Sequence, residues 1–127
     1  MVRIVLLLSS VLLVASHASA ELRTAPARRA YCTLWEHRDM QGAHHRMPNG
    51  ERVSFADSGS TAWRGLPSWN DAVSSATVDS GCRLQVWEHM EGGGASKTWS
   101  GGSQGLDINY VGGPWNDRIS SATCYCD

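Results

Sequence analysis

A chain of 127 residues holds one domain, or one domain with a tail. Eleven Lys and Arg against twelve Asp and Glu leave a formal charge of -1, so nothing is basic enough to track a phosphate backbone and no nucleic-acid partner is expected. Beyond the N-terminus no apolar stretch is long enough to cross a bilayer, so no membrane span is expected.

The first twenty residues read as a secretory signal peptide. Arg3 supplies the positive start, Ile4 to Val14 the apolar run, and Ala18-Ser19-Ala20 the small-residue cleavage site. Cleavage near Ala20 removes Arg3 and takes the formal charge from -1 to about -2. The expected product is a soluble exported protein, extracellular or periplasmic. Glu21 to Ala30 contains Pro26 and no hydrophobic rhythm, and reads as a flexible leader. The fold is expected to span residues 31–127.

From Tyr31 onward the chain is cut into short pieces by Gly, Ser, Asn and Pro. Tyr31 to Glu36 alternates and carries aromatic residues, as a strand would, and Gly42 to Met47 is a second candidate. Pro48-Asn49-Gly50 signals a turn, after which Val53 and Phe55 alternate with polar neighbours. Ser58 to Trp69 reads as a loop with room for one helical turn. Val73 to Val78, Arg83 to Glu88, Ser96 to Ser100, Leu106 to Ile108 and Ile119 to Cys126 complete the expected strands. No stretch sustains a 3.6-residue apolar rhythm, so no major helix is expected. Strand-sized pieces at short, regular spacing predict an all-β sandwich.

Export also governs the cysteines. Cys32, Cys82, Cys124 and Cys126 form an even set in a small secreted chain, which points to two disulfides. Cys124 and Cys126 share one face of a strand and are poorly placed to bond each other. Each then pairs with Cys32 or Cys82, and both arrangements remain open. A zinc site at Cys-x-Cys is the rival reading, but its spacing fits no common zinc pattern.

Two stretches repeat. Trp69-Asn70-Asp71-Ala72-Val73-Ser74-Ser75-Ala76-Thr77 returns as Trp115-Asn116-Asp117-Arg118-Ile119-Ser120-Ser121-Ala122-Thr123, identical at seven of nine positions. Upstream of each, Trp35-Glu36-His37 with Gly42 recurs as Trp87-Glu88-His89 with Gly94. The unit is roughly 45 to 50 residues, an internal repeat of motif one (31–80) and motif two (82–126). Asn, Asp and paired Ser are hard oxygen donors that suit calcium rather than zinc or copper. The same residue types also build hydrogen-bonded turns without any ion.

Other features carry less chemistry. Trp35, Trp69, Trp87 and Trp115 stand at equivalent repeat positions and are expected to fill the core of each half, with Trp63 and Trp99 also expected to pack rather than stack on a sugar ring. Gly101-Gly102-Ser103-Gln104-Gly105 satisfies a hydrolase elbow pattern, but outside a large α/β sheet it has no catalytic meaning. Adjacent His44 and His45 cannot share one strand face. His37 and His89 read as solvent-facing hairpin residues. No catalysis is expected.

The aromatic-to-Gly hairpin followed by Asn-Asp-x-x-Ser-Ser, present twice between Tyr31 and Asp127, resembles the βγ-crystallin motif. Met40 and Gly92 stand where that family usually has its second aromatic, whereas Gly42 and Gly94 match. The resemblance implies a Greek-key sandwich of two motifs related by a pseudo-twofold axis, each lending a strand to the other's sheet. It also implies up to two Ca²⁺ ions, shared across the motifs. Asp71 and Asp117 would give side-chain oxygens, Ser74 and Ser120 hydroxyls, and Ala72 and Arg118 backbone carbonyls. Carbonyls near Glu36-His37 and Glu88-His89 would complete each shell. Asn70 and Asn116 would brace the loops, and Ser75 and Ser121 would close the hairpins. Similar secreted proteins inhibit metalloproteinases or resemble killer toxins, which makes a protease the rival partner. Ser58 to Ser68 and Gly101 to Gly113 are the loops such an inhibitor would present. A monomer is expected in either case.

Overall fold

The computed structural model describes residues 30–56, 62–69 and 71–127. The expected signal peptide, the leader short of Ala30, Asn70 and part of the Ser58–Ser68 loop lie outside the described residues. The strands are β1 (Tyr31–His37), β2 (Gln41–Pro48), β3 (Arg52–Ser54), β4 (Arg64–Gly65), β5 (Ser75–Val78), β6 (Cys82–Trp87), β7 (Ser96–Ser100), β8 (Leu106–Ile108) and β9 (Ser121–Cys126). Helical structure among the described residues is confined to single 3-10 turns at Arg38–Met40, Pro67–Trp69 and Met90–Gly92. None could cross a membrane.

The strands form two sheets, ordered β2-β1-β5-β8 and β4-β3-β9-β6-β7. Motif one gives β3 to the second sheet, where it pairs antiparallel with β9. Motif two gives β8 to the first, where it pairs antiparallel with β5. This exchange is the Greek-key sandwich of two pseudo-twofold motifs. It also means that neither half can complete a sheet alone.

Period-two alternation builds the core. Cys32 and Leu34 on β1, Met47 on β2, Val53 on β3, Ala76 and Val78 on β5, and Leu84 and Val86 on β6 point inward and are at most 1% exposed. Phe55, Val73 and Ile119 fill the space between the sheets from adjoining loops. Because Leu34 and Val86 hold the inward positions, the neighbouring Trp35 and Trp87 must face outward. That overturns the expected core role of these two tryptophans. Trp35 lies against His44 at 5.8 Å between ring centroids, and Trp87 meets Trp63 edge to face at 5.8 Å. Trp69, Trp99 and Trp115 do pack against the core, whereas Trp63 lies outside it.

The two disulfides are Cys32–Cys124 and Cys82–Cys126. The first ties β1 to β9 and so staples one sheet to the other. The second joins residues directly opposite on neighbouring β6 and β9. Cys82, Cys124 and Cys126 bring their sulfurs within 4.8 Å of one another. All three are oxidised in disulfides, so no thiolate is left to ligate zinc.

Candidate metal centre

Each Asn-Asp-x-x-Ser-Ser segment is fixed by the apolar residue at its middle. Val73 and Ile119 are each 1% exposed and anchor their segments to the core. The flanking residues are therefore held at the surface. Asp71 and Asp117 are exposed and adopt positive φ, 54° and 61°, a region that Asp tolerates better than most residues. The turn before each closes identically. Ala72 N–H bonds the Trp69 carbonyl at 3.2 Å, and Arg118 N–H bonds that of Trp115 at 3.1 Å.

The segments are then locked to their own hairpins. Ser74 N–H donates to the Trp35 carbonyl at 3.0 Å, and Ser120 N–H to that of Trp87 at 2.9 Å. The next serine is fully buried in each case. Ser75 Oγ donates to the His37 carbonyl at 2.5 Å and accepts from Met40 N–H at 3.0 Å. Ser121 Oγ donates to the His89 carbonyl at 2.6 Å and accepts from Gly92 N–H at 3.0 Å. One hydroxyl thus pins both sides of a hairpin tip.

A hairpin feature that the sequence alone did not reveal involves the duplicated histidines. Each imidazole lies over the glycine of its own hairpin: a Cβ on Gly42 would stand 2.6 Å from the His37 ring, and one on Gly94 2.5 Å from that of His89. Both glycines also have positive φ. His37 Nε2 contacts Glu36 Oε1 at 3.0 Å, and His89 Nε2 contacts Glu88 Oε1 at 3.3 Å. The recurrence of Trp-Glu-His in register was the available signal.

The two segments also engage the opposite motif. Ser74 Oγ donates to Asn116 Oδ1 at 2.9 Å. The Ser74 carbonyl accepts from Val111 N–H and the Ser120 carbonyl from Phe55 N–H, each at 2.9 Å. Asn116 therefore reaches across the pseudo-dyad as well as sitting in its own loop. Asp71 makes no hydrogen bond or ion pair with any described residue, and Asp117 accepts only from Asn116 Nδ2, at 3.5 Å. Two carboxylates held in matched positions are thus uncommitted to any cationic side chain among the described residues.

The donor set fits calcium chemically. Carboxylate, hydroxyl, amide and backbone carbonyl oxygens stand in these loops, and the ring nitrogens of His37 and His89 are already directed at Glu36 and Glu88. Asp71, Ser74, Asp117 and Ser120 would offer side-chain oxygens and Ala72 and Arg118 carbonyls. The exposed Arg118 places a cation in the second loop where Ala72 stands in the first.

Comparison of the sequence with protein-family models and with curated proteins found no match. Solved structures do match this two-sheet arrangement. A double mutant of a βγ-crystallin domain from Clostridium beijerinckii is 24% identical, with a TM-score of 0.59 over 75% of this chain and 96% of that one. A βγ-crystallin domain from Flavobacterium johnsoniae is 20% identical, with a TM-score of 0.58 over 76% of this chain and 94% of that one. A clostrillin double mutant crystallised in complex with nickel is 23% identical, with a TM-score of 0.57 over 75% and 97%. The chain has the βγ-crystallin fold.

Proposed function

We propose that this protein is an exported, non-catalytic βγ-crystallin domain that binds up to two Ca²⁺ ions through its Asn-Asp-x-x-Ser-Ser loops and is stabilised by them. The observation that carries the reading is the pair of exposed carboxylates, Asp71 and Asp117. Each is held at positive φ, free of ion pairs with described residues, on loops joined by the Ser74–Asn116 bond. One carboxylate per site with neutral donors gives modest affinity, on the order of 10⁻⁶ to 10⁻³ M, suited to extracellular calcium. Calcium at a hundredfold above its dissociation constant would add about 2.7 kcal/mol to folding stability. Both disulfides join strands, so neither clamps a loop in the manner of a rigid inhibitor.

Calorimetric titration of the oxidised protein with calcium tests the reading. Two sites are expected, with one lost in Asp71→Ala and the other in Asp117→Ala. Heats unchanged by both substitutions would refute the ligand assignment.

A further inference from the structure

The outer face of the second sheet has a composition unlike the rest of the molecule. Residues opposite one another on antiparallel strands share a face. Registers of β3, β9, β6 and β7 therefore place Arg52, Thr123, Gln85 and Thr98 in one row across it, and Tyr125, Arg83 and Ser100 in the next. No outward position of these four strands is acidic. The outer face of the first sheet instead carries Asp107 along with Arg46. The outward positions of these four strands thus carry two exposed guanidiniums, Arg52 and Arg83, and no carboxylate.

Those cations are held among aromatic rings. The Arg52 guanidinium donates to Tyr125 Oη at 3.1 Å and lies 5.7 Å from the centre of the Trp63 ring. Trp63 in turn stands edge-on to Trp87. Arg83 is exposed directly opposite Tyr125, which is itself 37% exposed. Beneath this layer Ser54 Oγ and Thr123 Oγ1, both buried, have no hydrogen-bond partner among the described residues. Described acids stand at the rim: Asp127 after β9, its N–H bonded to the Gly81 carbonyl, Glu51 before β3, in contact with Arg64 and His45, and Glu88 after β6, in contact with His89.

From this arrangement we infer that the outer face of the second sheet binds an acidic polysaccharide. Arg52 and Arg83 take successive carboxylate or sulfate groups, the Tyr125 ring between them takes the apolar face of a pyranose, and Gln85, Thr98 and Ser100 bond its hydroxyls. Guanidinium is suited to planar carboxylate and to sulfate by its fork of donors. A flat, extended row of short polar side chains suits an extended sugar chain. It suits a protein partner less, because among the described residues Tyr125 is the only exposed large apolar side chain on these four strands; Leu106 lies on the first sheet and Met90 on the 3-10 turn after β6. A bare polyphosphate offers neither an apolar ring face for Tyr125 nor hydroxyls for Gln85, Thr98 and Ser100. The inference does not depend on calcium.

Affinity electrophoresis of the oxidised protein in EDTA tests it, with polygalacturonate (carboxylated), heparin (sulfated), dextran (neutral) and single-stranded DNA as probes. Retention by polygalacturonate, heparin or both is expected, whichever anion is preferred, with no retention by dextran and with weakening as salt screens the guanidiniums. Arg52→Gln/Arg83→Gln should weaken binding about tenfold or more. Tyr125→Ala should weaken it several-fold while Tyr125→Phe keeps the stacking ring. Near-ultraviolet circular dichroism identical to that of the parent will show that each variant is folded. Absence of retention by both acidic polysaccharides, binding unaffected by the double substitution, equal retention by DNA, or binding that appears only with calcium would each overturn the inference.

Discussion

Ser74 donates a 2.9 Å hydrogen bond to Asn116, forty-two residues later, and so joins the first motif's loop to the second's. The bond spans the pseudo-dyad at the place where the proposed ions would lie. Ser74→Ala and Asn116→Ala should each destabilise the calcium-free protein. Their effects should be non-additive, because both remove the same bond. A double-mutant cycle by urea denaturation should give a coupling of about 0.5–1.5 kcal/mol. A coupling near zero would mean that the bond contributes nothing to joining the halves.

The buried hydroxyls of Ser75 and Ser121 should matter more. Each makes two backbone hydrogen bonds, so its loss strands an N–H and a carbonyl at a hairpin tip. Ser75→Ala or Ser121→Ala should cost about 2–4 kcal/mol. The measurement is the urea midpoint at constant slope.

Much of this architecture was legible in the sequence, because alternation and turn chemistry are local signals. Ser96–Ser100 and Leu106–Ile108 form strands over the bounds expected of them. The strands after the loops begin later than alternation suggests, at Ser75 and Ser121 rather than Val73 and Ile119. The preceding residues are bent by the positive φ at Asp71 and Asp117. The two-residue β4 has no pattern to read. Size misled for Trp35 and Trp87: large side chains invite a core assignment, yet parity with Leu34 and Val86 puts them outside. The Ser74–Asn116 bond was invisible for a different reason, since neither residue's neighbours mark a partner so distant in the chain.

The hairpins offer a test of backbone strain. Met40 and Gly92 are equivalent in the two motifs and both adopt positive φ, 55° and 73°. Glycine is unstrained there and methionine is not. Met40→Gly should therefore be neutral or stabilising by up to about 1 kcal/mol, with relief of strain offset by greater freedom in the unfolded chain. The reverse change, Gly92→Met, should be clearly destabilising, because a Cβ there already lies 3.3 Å from the Trp63 ring. Equal effects of opposite sign would show that backbone conformation alone decides.

Loop closure ranks the disulfides closely. Cys32–Cys124 spans 92 residues and Cys82–Cys126 spans 44. Chain entropy puts both near 4–5 kcal/mol, with the first larger by about 0.7 kcal/mol. The first also crosses between sheets, whereas the second reinforces strands already paired. Paired Cys→Ala variants compared by thermal unfolding should show the greater loss for Cys32/Cys124.

Arg118 makes the two proposed calcium sites unequal. Its side chain is exposed in the second loop, at the position where the first carries Ala72. A cation near a divalent ion is repelled, more weakly through water than in the interior. Arg118→Ala should tighten one calcium site roughly two- to fivefold, and Ala72→Arg should weaken the other by a similar factor. Both effects should shrink as sodium chloride rises, because screening acts on this repulsion without altering the oxygen ligands. Titration of the two variants at low and high salt separates the charge effect from a change in loop shape. An affinity shift that persists unscreened at high salt would assign the difference to loop shape instead.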